Sequence, residues 1–67
     1  MEIIKMVKVK KTASGNASVL ADRVVGVVLE TSESYQVYNE FAAQGEQRFY
    51  WVKKSDCEEA WRKLFGI

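Results

Sequence analysis

YQVYNEFAAQGEQRFYWVKK, residues 35–54, is the stretch whose reading decides the fold. It holds Tyr35, Tyr38, Phe41, Phe49, Tyr50 and Trp51, out of three Phe, three Tyr and two Trp in the whole chain. Two aromatic runs flank a polar segment, Ala42-Ala43-Gln44-Gly45-Glu46, and Gly45 supplies the residue that a turn uses at positive φ. The stretch predicts a β-hairpin with strands at 35–42 and 47–54. Side chains alternate along a strand, so Tyr35, Val37 and Phe41 share one side, and Phe49 and Trp51 share one side of the return strand. Placing those five toward the core leaves Tyr38, Arg48 and Tyr50 on the outer side. Two readings of that outer side stand. Either it is partly buried by the bending of a small barrel, or it is a binding face, where Tyr and Arg are favoured anchors.

Working toward the N-terminus, residues 30–34, ETSES, form a polar loop. VVGVVL at 24–29 is the most apolar run and is short enough for a core strand, predicted over 23–30. Gly26 within it marks a bulge, a sharp bend or the close approach of another backbone. Residues 17–21 are predicted as a short strand after a turn at 12–16, TASGN. The opening EIIKMVKVKK predicts a strand over 2–11, with β-branched residues alternating with lysines. Those lysines either form a protective charged edge or contact a ligand, in which case Lys8 and Lys10 are candidate partner-binding residues.

Toward the C-terminus the period changes. Ser55-Asp56-Cys57-Glu58 has capping-box spacing, and Cys57, Ala60, Trp61 and Leu64 fall on one face of a helix predicted over 56–65. Acidic residues at its start and Arg62 and Lys63 at its end both suit the helix dipole. Gly66 follows as a helix stop. Trp61 reads as a core plug and Cys57 as a small buried hydrophobe. The expected fold is mainly β: a single domain over 1–67 of five strands closed by one C-terminal α-helix.

With 67 residues, one domain and a core supplying perhaps 3–5 kcal/mol are expected, with no room for a deep substrate cleft. Hydrophobic content of 48% beside 28% charged residues separates the chain from disordered tails. Net charge is +1, which lacks the global polycation signal of nucleic-acid binding. The charge is nevertheless uneven: residues 1–27 carry a basic excess through Lys5, Lys8, Lys10, Lys11 and Arg23, and residues 28–52 an acidic one through Glu30, Glu33, Glu40 and Glu46. One Cys and no His leave neither an internal disulfide nor a zinc site of the usual ligands, and fit a reducing, cytoplasmic setting. No apolar run approaches the length of a membrane span, and the start lacks a signal-peptide pattern.

The runs Asp22-Arg23-Val24-Val25-Gly26-Val27-Val28 and Phe49-Tyr50-Trp51-Val52-Lys53-Lys54-Ser55-Asp56 resemble parts of an SH3-like barrel. Within that fold, the chain is weakly similar to the small crenarchaeal chromatin proteins over roughly residues 7–56. The shared parts are the V-K-V-K strand at 7–10, a Gly-containing turn at 14–16, and Gly45 ahead of aromatic Phe49. The resemblance implies duplex-DNA binding through a sheet face with apolar wedges. The chain departs from that family in being nearly neutral.

No residue pattern for catalysis, a cofactor or a metal is present, so the chain reads as a non-catalytic binding module. A protein-interaction adaptor, or an inhibitor of a larger protein, is the leading expectation. A nucleic-acid-binding protein using the basic strand and an aromatic sheet face is the alternative. Lys8, Lys10, Tyr38, Arg48, Tyr50 and Lys53 are the candidate partner contacts. A homodimer through an edge strand is a variant of the first reading, and neither a membrane nor a small-molecule substrate is expected.

Overall fold

A computed structural model describes residues 2–59 of the chain, and valines dominate what it buries. The elements run β1 (Lys5–Val9), a 3-10 helix (Gly15–Leu20), β2 (Val24–Glu30), β3 (Ser34–Tyr38), β4 (Phe49–Lys53), a one-turn 3-10 helix (Lys54–Asp56) and β5 (Cys57–Glu59). The strands form one antiparallel sheet in the order β4-β3-β2-β1-β5. Its first and last strands are consecutive in sequence, joined only by the Lys54–Asp56 turn. In a flat sheet four inter-strand steps would separate them by about 19 Å. Four residue steps reach at most about 14 Å when extended, and about 8 Å as a 3-10 turn. The sheet therefore curls into a half-barrel, an arrangement consistent with an SH3-like fold.

The concave side holds the core. Val7 and Val9 of β1, Val25 and Val27 of β2, Tyr35 and Val37 of β3, and Val52 of β4 are all buried. Ala13, Ala17 and Leu20 complete the cluster, with Tyr50 and Cys57 packed against it. Ala17 and Leu20 lie three residues apart, the spacing that superimposes side chains on a 3-10 helix. That explains a first correction: residues 17–20 of the strand expected over 17–21 belong to the 3-10 helix, which turns its small apolar face onto the barrel interior, with Ala21 as its C-cap.

The hairpin forms, but one strand is in the opposite phase to that expected. Val37 pairs with Tyr50 and Tyr35 with Val52, while Gln36 pairs with Trp51 and Tyr38 with Phe49. Directly opposed residues project to the same side. Tyr50 and Val52 thus face inward, and Phe49 and Trp51 face outward at 42% and 51% exposure. The interior is filled by six valines, Leu20 and Tyr35, with Tyr50 packed against them, and the register leaves Phe49 and Trp51 on the other side of the strand. Phe41, also expected in the core, lies in the connection after β3; it is exposed, with the Arg23 guanidinium 5.9 Å from its ring centre.

The third correction concerns the C-terminal segment. Cys57–Glu59, expected as the start of a helix, is β5 and pairs with Val7–Val9 of β1. Capping-box spacing is a local signal, and here a one-turn 3-10 helix ends at Asp56 before a strand ladder begins. The Lys10 N–H donates to the Asp56 carbonyl at 2.8 Å, continuing that ladder. Ala60, Trp61, Arg62, Lys63, Leu64 and Gly66 lie outside the described residues.

Candidate functional site

The convex side of the sheet gathers what the core cannot hold. Reading across the strands, one row is Met6–Gly26–Tyr38–Phe49 and the next is Leu29–Gln36–Trp51. An irregularity between Val27 and Leu29 sets the second row: pairing passes from Val27↔Val37 to Leu29↔Gln36, leaving Val28 as the extra residue. A β-bulge of this kind reverses the alternation beyond it, so Leu29 is exposed on the convex side.

Gly26 is the centre of the first row. A Cβ there would stand 2.8 Å from Ile3 Cδ1 and 3.0 Å from Ile3 Cγ2. The missing side chain is what lets Ile3 lie across β2. The Ile4 N–H donates to the Val27 carbonyl at 2.7 Å and anchors this N-terminal segment beside the strand. Ile3, Met6, Gly26, Tyr38 and Glu40 line an open groove of about 320 Å³. Beyond it the Tyr38 and Phe49 rings meet at 5.4 Å between centroids, tilted by 53°.

The candidate contacts named from the sequence fall in different places. Tyr38 is on the convex face, and its hydroxyl oxygen accepts a hydrogen bond from Arg48 Nη1 at 3.4 Å. Lys53 shares that face, opposite Ser34, and helps line a shallow trough of about 370 Å³ with Glu33, Ser34 and Ser55. Lys8 is also convex, paired across the sheet with Val24 and Glu58, and ion-paired to Asp22 at 3.1 Å. Lys10 is half-buried just beyond β1. Tyr50, expected outside, packs against the core instead. Tyr38 and Arg48 are therefore together, whereas Tyr50 lies on the other side of the sheet from them. Sequence reasoning missed Ile3, Met6, Glu40, Phe49 and Trp51. One signal was available: Gln47 and Lys53 share parity with Phe49 and Trp51, which marks that side of β4 as solvated.

Several of the cations are occupied by carboxylates. Glu30 binds Lys54 Nζ at 2.6 Å and Lys5 Nζ at 3.9 Å. The Lys5 and Lys54 ammonium groups lie 5.2 and 5.3 Å from the Tyr35 ring centre, and Lys5 also donates to the Tyr35 hydroxyl at 3.4 Å. The hydrogen bond from Lys54 leads in holding the Glu30 carboxyl below its usual range, and the one from Lys8 does the same for Asp22. Lys5 is raised, chiefly by its bond to Tyr35. The Cys57 thiol is pushed up to about 11 by burial, with the Asp56 charge adding to it.

Among the described residues there is no group of three or more His, Cys, Asp or Glu placed to hold a metal ion, and no helix long and apolar enough to cross a membrane. Compared with known protein families, with curated proteins and with solved structures, the chain matches none of them.

Proposed function

We propose that the chain is a non-catalytic binding module that docks a protein partner on the convex face of its sheet. The observation that carries this reading is the exposure of Phe49, Trp51, Leu29 and Ile3 on one continuous face. Apolar and aromatic anchors within a polar rim are the composition of protein interfaces, and Arg48, Lys53 and Glu40 provide such a rim. Cation pairing supports it from the other direction, since Lys5, Lys8 and Lys54 are already bound to carboxylates. The test is affinity capture with wild type and a Trp51→Ser variant whose fold is checked by NMR. A protein retained by wild type and lost by the variant is expected. Identical background on both would refute the reading.

A nucleic-acid partner is favoured by one arrangement: Tyr38, Phe49 and Trp51 share a face with Arg48 and Lys53. Rings so placed suit base stacking, at roughly 1–3 kcal/mol per base, or a wedge role like that of the chromatin proteins the sequence weakly resembles. Titration of single-stranded and duplex oligonucleotides at low salt decides it. Binding that falls steeply with added salt supports this second reading, and no complex with either excludes it.

A further inference from the structure

We infer that the groove over Gly26 receives the side chain of a lysine or arginine from the protein partner. The inference rests on the protein-binding reading of the convex face and specifies one contact within it. At about 320 Å³ the groove lies at the lower end of ligand-site volumes. That leaves ample room for a single long side chain. Its floor and walls are apolar: Gly26 contributes bare backbone, Ile3 lies directly over it, and Met6 and Tyr38 stand on the neighbouring strands. An aliphatic stem buries itself well on such a surface while its charged head stays hydrated.

The charge at the rim selects the head group. Among the described residues Glu40 is the one acid lining the groove, and its carboxylate makes no hydrogen bond or ion pair there. Asp22 and Glu30, by contrast, already hold lysines. The Tyr38 ring beside Glu40 offers a π-face that also favours a cation. The Arg48 guanidinium meets Tyr38 at its hydroxyl, so it approaches the ring at the phenol end and is not among the groove's lining residues. An ammonium or guanidinium lying between the Glu40 carboxylate and the Tyr38 ring therefore completes the charge of the site.

The experiment is an NMR titration of the whole chain with three capped tripeptides whose central residue is lysine, norleucine or glutamate. The lysine peptide is expected to shift the amides of Gly26, Tyr38 and Glu40 and to bind more tightly than the norleucine peptide. Glu40→Gln, an exposed substitution, is expected to weaken the lysine peptide about threefold, as removal of a solvent-exposed ion pair does, and to leave norleucine unchanged. Added salt should reproduce the loss. Equal binding of lysine and norleucine peptides, tighter binding of the glutamate peptide, or no shift with any of them overturns the inference. So does an oligonucleotide that shifts the same amides at lower concentration than the lysine peptide. If Trp51-dependent capture persists while the lysine arm fails, only the groove assignment falls. If lysine binds but capture shows no partner, the docking reading fails and the groove chemistry survives.

Discussion

Replacing Val52 with Thr tests the phase of β4 directly. If Phe49 and Trp51 were the core side of that strand, Val52 would face solvent and the change would be nearly silent. In the structure Val52 is 2% exposed and stands opposite Tyr35 inside the half-barrel. Thr has almost the same shape as Val, so no cavity term enters. The substitution exchanges a buried methyl for a hydroxyl, and an unsatisfied buried polar group costs about 1–3 kcal/mol. Taking about 2 kcal/mol, a core worth perhaps 3–5 kcal/mol would lose close to half its stability. Urea unfolding followed by tryptophan fluorescence measures this. With a slope near 1 kcal/mol per molar for a small domain, the midpoint should fall by about 2 M. Lys53→Thr, one residue on and exposed on the convex face, should shift it by less than about 0.5 M, as surface substitutions do. Similar midpoints for the two variants would refute the inward placement of Val52 and, with it, the outward placement of Trp51.

The remaining predictions concern charge, the thiol and the central glycine. Glu30 has a depressed folded-state pKa, so its contribution is present above the unfolded-state value and is lost as pH falls through the folded one; the gap in unfolding midpoint between wild type and Glu30→Gln should close on acidification and narrow in high salt. Lys5 is raised, so its contribution is present below its unfolded-state value and disappears as alkali titrates the folded form; Lys5→Met should flatten the alkaline limb of the same profile. With its pKa near 11, Cys57 should alkylate at neutral pH roughly a hundredfold more slowly than in the urea-unfolded chain, with the rate still climbing above pH 9, as mass spectrometry would show. Gly26→Ala should change stability by less than about 1 kcal/mol in either direction, because the cost of pushing Ile3 Cδ1 and Cγ2 aside is offset by the freedom the unfolded chain loses; the Ile3 methyl resonances should move, and unmoved ones would contradict the close approach.

Four of the five strands are legible in the sequence because alternation and β-branching are local. β1, β2, β3 and β4 all lie within or beside the spans that VKV, VVGVVL, YQVY and FYWV predict. Phase is another matter. Alternation says that Tyr50 and Trp51 point to opposite sides but not which side is inside; cross-strand register and the volume of the curled sheet decide that. The C-terminal error has the same origin. Capping and dipole signals at 55–59 are sequence-local, whereas β1 offers a strand ladder from the other end of the chain. At the candidate site, Tyr38 and Arg48 could be paired in advance because they flank one hairpin. Gly26 was recognisable as a close-approach position, although its neighbour proved to be the Ile3 side chain rather than a second backbone, and the bulge fell at Val28. Alternation over 35–42 puts Glu40 on the same side as Gln36 and Tyr38, but that it lines a groove with Ile3 and Met6 depends on the N-terminal segment crossing β2, which no local pattern shows.

The exposed rings follow from the size of the barrel. A five-stranded half-barrel closed by a single 3-10 turn encloses a space that Val7, Val9, Val25, Val27, Val37 and Val52 largely fill, with Leu20 beneath and Tyr35 at the side. The chain nevertheless places Phe49 and Trp51 on the strand next to that space. The register turns them to the convex side, so their surface is left in water, where hydrophobic area favours association. A cheaper sequence for stability alone would put Thr or Lys at those two convex positions, as it does at Lys8 and Lys53. Aromatic residues at those positions, beside an apolar groove whose only acid among the described residues is Glu40, make physical sense if another molecule covers that face.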